Sequence, residues 1–131
     1  MTVLIGYVPT PVGDAALMAG LAEAAAHGED VVVLNSPRRG STVDADLIGP
    51  EASAQLVETA SAAGVTARVL QPEHGADIVD AFTSAVESTS ARLVVIGLRR
   101  RTPVGKLMMG SDAQRLLLEL DAPILAVKPA R

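Results

Sequence analysis

The sequence predicts a single α/β domain built on a doubly wound parallel sheet with helices on both faces. Three observations carry that prediction. Short β-branched runs alternate with Ala-rich helical stretches in the order β-α-β-α-β-α-β-α-β, which implies a five-stranded parallel sheet. The runs are apolar on both faces, as strands covered from two sides are. The chain has 131 residues, 49% of them apolar, enough for one continuous core. Right-handed crossovers then leave the doubly wound arrangement.

Four strands are expected at Val3 to Tyr7, Val31 to Leu34, Leu93 to Ile96 and Ile124 to Val127. A weaker one, Thr66 to Leu70, contains Arg68. The first helix is expected from Asp14 to His27, with Gly28 as its stop. The second, Pro50 to Ala63, opens on proline and ends before Gly64. The third, Ala76 to Glu87, places Ile78, Val79, Phe82 and Val86 on one stripe. The fourth runs from Ser111 to Leu120, and Pro123 prevents it from continuing. Residues 36–49 form a long polar connection at the same edge as the strand ends.

Composition excludes several functions. The formal net charge is −4, against a nucleic-acid partner. There is no cysteine, so disulfides, thiolate zinc sites and cysteine nucleophiles are absent. Tyr7 and Phe82 are the sole aromatics, which weighs against stacking on a base or flavin and so against a flavodoxin-like redox carrier. No signal-type segment or membrane-length run is present, and a soluble cytoplasmic protein without a membrane partner is expected. No carboxylate, serine and histidine converge by spacing, so no catalytic residue is assigned.

The chemistry concentrates in VVIGLRRRTPVGKLMMGS, residues 94–111. Ligands of doubly wound sheets bind beyond the carboxyl ends of the strands, at the switch point in strand order. Gly97 follows a strand directly and allows close backbone approach. Gly110 and Ser111 precede a helix, offering free N–H groups and the positive end of its dipole to phosphate. The same residues also suit a plain turn and a helix cap. Arg99, Arg100 and Arg101 fit either a phosphate clamp or a solvated basic loop. Gly105-Lys106 hints at a P-loop, but that pattern requires glycine at 100 and Ser or Thr at 107, where Arg100 and Leu107 stand. Asp44 and Asp46 are loop acids that could touch a nucleotide-bound metal. His27 reads as a helix-terminal residue, His74 as a loop residue, Lys106 as solvent-exposed, and Met108 and Met109 as hydrophobic cover.

With this spacing the whole chain resembles the universal stress protein family, whose pattern G-x2-G-x9-G-[ST] lies between the fourth strand and fourth helix. Gly97, Gly110 and Ser111 match it, and Arg100 stands at the second glycine. The closing DAPILAVKP is similar to the family's last strand. The resemblance implies strand order 3-2-1-4-5 and a homodimer through the last strand. It also implies an adenine nucleotide, ATP or AMP, with magnesium accompanying ATP. Its site would draw on Tyr7 and Val8 after the first strand and Ser36 after the second. It would continue through Ile96, Gly97, Arg99 and Arg100 after the fourth, to Gly110, Ser111, Asp112 and Ala113 at the last helix. Val8 stands where the family's adenine-binding acid is expected. Loss of a buried hydrogen-bond partner costs about 1–3 kcal/mol. Arg100 either obstructs the backbone approach or donates to phosphate. The resemblance therefore supports a nucleotide-binding stress regulator, with a dimeric interaction module that binds no nucleotide as the alternative.

Overall fold

The computed structural model describes residues 1–35, 48–72, 77–98 and 111–129. Nine elements follow in the expected order: β1 (Thr2–Gly6), α1 (Pro11–His27), β2 (Asp30–Leu34), α2 (Pro50–Ala62), β3 (Ala67–Leu70), α3 (Ile78–Thr89), β4 (Ala91–Gly97), α4 (Ser111–Glu119) and β5 (Ile124–Val127). The strands form one sheet in the order β3-β2-β1-β4-β5, and every neighbouring pair is parallel.

Helix boundaries differ from the sequence reading where caps decide them. α1 starts at Pro11 rather than Asp14, because extended Thr10 caps it: its hydroxyl accepts the Gly13 N–H at 3.2 Å. Proline then takes the first helical position, where its missing N–H costs nothing. Gly28 ends the helix at φ 65°, its N–H returning to the Ala24 carbonyl. α3 starts at Ile78 rather than Ala76, because the Asp77 carboxylate accepts the N–H groups of Val79 and Asp80 at 3.1 and 3.3 Å. α4 begins at Ser111, as the sequence reading has it, and ends one residue earlier than expected, at Glu119.

Strand alternation divides the core into two layers. Val3, Ile5, Val33 and Val95 face α1 and α2, where they meet Leu17, Leu21 and Leu56. Leu4, Val32, Leu34, Val94 and Ile96 face the other way, onto Val79, Phe82, Leu116 and Leu120. Both faces of β1 and β4 are thereby covered, which explains their continuous apolar runs.

The amino edge of the sheet is closed by charge. Glu29, just before β2 and 8% exposed, accepts three hydrogen bonds from Arg92 of β4, with Nε at 2.9 and 3.0 Å and Nη2 at 2.6 Å. Arg92 Nη2 also reaches Glu23 of α1 at 3.1 Å. Glu23 in turn lies 3.4 Å from the His27 ring. His27 thus sits in the last turn of α1, as expected.

The two outer strands differ. β3 carries exposed Arg68, a charge that discourages pairing with another strand. β5 exposes Leu125 and Ala126 and carries no charge between Ile124 and Val127. Among the described residues no helix is long and apolar enough to cross a membrane.

Candidate functional site

Because all strands are parallel, all four helices begin at the carboxyl edge of the sheet. The strand order reverses between β1 and β4. α1 leaves β1 toward one face and α4 follows β4 on the other, so the edge opens as a crevice at this point.

On the β1 side, Tyr7 is half-buried against the α1-facing core, and its hydroxyl points to Asp14 Oδ1 at 3.4 Å. Burial, and then the Asp14 carboxylate, push the phenol above its ordinary pKa. Val8 follows, half-buried and apolar, with its carbonyl accepting the Thr10 N–H at 2.8 Å. No carboxylate stands at position 8.

On the β4 side, Gly97 closes the strand and pairs with Val127. Its missing side chain has a structural cause. A Cβ there would lie 2.5 Å from Val12 Cγ1 and would also strike the Val12 carbonyl oxygen. Gly97 therefore lets the first turn of α1 settle onto the end of β4. The Ile96 side chain is buried in the opposite core layer at 5% exposure, so a ligand at that position would meet its backbone. At the start of α4, Asp112 is half-buried and Ala113 packs on the core.

Tyr7, Val8, Ile96, Gly97 and the first turn of α4 are thus all at one edge, as expected. Ser36, Arg99, Arg100 and Gly110 lie outside the described residues. So do Asp44, Asp46, His74, Arg101, Lys106, Met108 and Met109. Among the described residues no group of three His, Cys, Asp or Glu side chains gathers to hold a metal.

Sequence reasoning missed two arrangements at this edge. The first joins the ends of β1, β2 and β3. Asn35 is fully buried, and its Nδ2 donates to the Tyr7 carbonyl at 3.0 Å. Its Oδ1 accepts the Ile48 N–H at 3.1 Å and Gln71 Nε2 at 2.9 Å. Gln71 also donates to the Ile48 carbonyl at 2.9 Å. A polar residue directly after four apolar strand positions was the signal available. The second joins α3 to α4. Arg115 donates to both oxygens of Asp77, at 2.7 and 3.1 Å, and to Glu119 at 3.3 Å. The Arg115 guanidinium holds Asp77 below the usual carboxylate range. Only the Arg115–Glu119 spacing was visible in the sequence.

Comparison with known proteins identifies the lineage. Residues 1–128 match the universal stress protein family. The chain belongs to that family. It is similar to a universal stress protein of Mycolicibacterium smegmatis, 39% identical over 127 residues that make up 97% of each chain. Among solved structures it is similar to a universal stress protein of Archaeoglobus fulgidus, with TM-score 0.80, 27% identity and 98% of each chain covered. The Archaeoglobus fulgidus universal stress protein in complex with dAMP superposes with TM-score 0.73 at 21% identity, again over 98% of each chain. The five-stranded parallel sheet described above is that of the universal stress protein fold.

Proposed function

We propose that this universal stress protein binds an adenine nucleotide, AMP or ATP, as a regulatory ligand at the β1–β4 crevice. The observation that carries the reading is the frame Gly97, Arg100, Gly110 and Ser111, set between β4 and α4 at the switch point. Solved relatives of the fold bind dAMP, cAMP and AMP, which supports an adenylate as the ligand class. The start of α4 offers N–H groups and a positive dipole end to phosphate. Magnesium would enter with the phosphates of ATP. The protein would work in the cytoplasm, where those nucleotides are held.

A homodimer through β5 belongs to the same reading. Uncharged β5 leaves one backbone edge open, with Leu125 exposed beside it. Leu117 and Leu118 of α4 are exposed as well, at 36% and 84%, on the other face of the sheet.

Thermal-shift and calorimetric titrations with AMP and with ATP and magnesium test the nucleotide reading. A ligand at 100 times its Kd stabilises the fold by about 2.7 kcal/mol. Gly110→Trp should abolish that gain. Saturating nucleotide that leaves the melting temperature unchanged refutes the proposal.

Val8 favours a second reading, a dimeric interaction module without nucleotide, because this apolar side chain offers adenine no acceptor. Nucleotide released from freshly purified protein and seen by mass spectrometry would rule that reading out.

A further inference from the structure

We infer that the Asp77–Arg115 ion pair sets the electrostatic potential at the anion end of the crevice, with Arg115 acting as a positioning residue and not as a ligand. The inference rests on the nucleotide reading above and adds a determinant of affinity to it.

α3 and α4 lie side by side on one face, and both begin at the carboxyl edge. Asp77 caps α3, so its carboxylate is fixed at the end where α4 also starts. Left alone, that charge would oppose any anion approaching α4. Arg115 stands four residues into α4, about 6 Å along the helix axis from Ser111. It meets Asp77 through two hydrogen bonds, 2.7 and 3.1 Å long. The same guanidinium meets Glu119 at 3.3 Å. Asp80 and Asp112 add further negative charge to the first turns of α3 and α4. Removing the guanidinium would therefore leave the Asp77 carboxylate without its ion-pair partner beside the start of α4. The rise of about 6 Å from Ser111 to Arg115 is shorter than a Debye length of roughly 8–10 Å, so salt screens the pair's charges only in part.

A structural clamp and an electrostatic tuner predict different outcomes. Asp77→Asn keeps the cap, because asparagine caps a helix as well as aspartate does. It removes one negative charge and releases Arg115 toward the crevice. Arg115→Gln uncovers both Asp77 and Glu119. Both variants lose the ion pair, so both should melt lower. Their affinities should move apart.

The experiment is calorimetric titration of wild type, Asp77→Asn, Arg115→Gln and the double variant with inorganic phosphate and with AMP, at low and high salt. Asp77→Asn should tighten binding about two- to tenfold and Arg115→Gln should weaken it by a similar factor. The double variant should return near wild type, and raising the salt should compress all differences. Asp77→Asn that binds no tighter than wild type overturns the inference, even where Arg115→Gln fails to fold. Equal weakening by both single variants also overturns it and leaves the pair a clamp. Wild type that binds neither probe refutes the nucleotide reading, and this inference with it.

Discussion

Gly97 at the end of β4 and Val12 in the first turn of α1 are in backbone contact, with no room for a methyl group between them. Gly97 thus has a structural task that needs no ligand. Gly97→Ala should force α1 away from the sheet and destabilise the protein by about 1–3 kcal/mol. Chemical denaturation in the absence of nucleotide checks this. A variant as stable as wild type would leave nucleotide contact as the sole reason for glycine.

Asn35 makes the ends of three strands depend on one amide. Asn35→Ala would leave the Ile48 N–H and the Tyr7 carbonyl short of a partner at the buried edge. The expected loss is about 1–3 kcal/mol. Asn35→Asp keeps the acceptor but puts a charge in a fully buried place and should cost more. Denaturation midpoints of the two variants give the comparison.

Tyr7 is the sole tyrosine in a chain without tryptophan, so its titration can be followed by near-ultraviolet absorbance without interference. Its phenol should ionise above the ordinary value. Asp14→Asn should lower that value only partly, because burial is the larger cause. A folded-state pKa above the unfolded one means stability is intact below about pH 10 and falls as pH rises further.

Acid stability should depend on Glu29. Arg92 holds its carboxyl below the ordinary value. The contribution is therefore complete above the unfolded pKa of about 4.3 and is lost as pH falls through the lower folded value. Glu29→Gln should flatten the acid limb of the melting-temperature profile. An unchanged profile would assign acid unfolding to other carboxylates, Asp77 first among them.

Leu125→Lys should place a charge on the open β5 edge and convert the proposed dimer to monomer in sedimentation velocity. The same substitution should leave the monomer's secondary structure intact, because this side chain is already 39% exposed. A monomeric wild type would refute the β5 interface.

The fold was largely legible in the sequence. Parallel strands buried on two faces leave uninterrupted runs such as Val31 to Leu34, and three of the four helices have proline or glycine at or near both ends, α3 being the exception. Strand order came from resemblance, since alternation of elements does not rank neighbours. The errors sat at helix starts. Asp14 suggested a first turn that Thr10 and Pro11 had already begun, and Asp77 capped a helix read as starting at Ala76. The glycine frame of the site was visible because its spacing is local. The Asn35–Gln71 and Asp77–Arg115 contacts join residues 36 and 38 positions apart, and no periodicity encodes such pairs.

The ion cluster of Glu23, Glu29 and Arg92 pins α1, β2 and β4 together at the end of the sheet farthest from the crevice. Charge therefore ties the amino edge of the sheet, while the Asn35 amide and the Gly97–Val12 contact tie the carboxyl edge where the proposed ligand would enter. None of these ties passes through a ligand, so the fold is expected to stand whether or not a nucleotide binds.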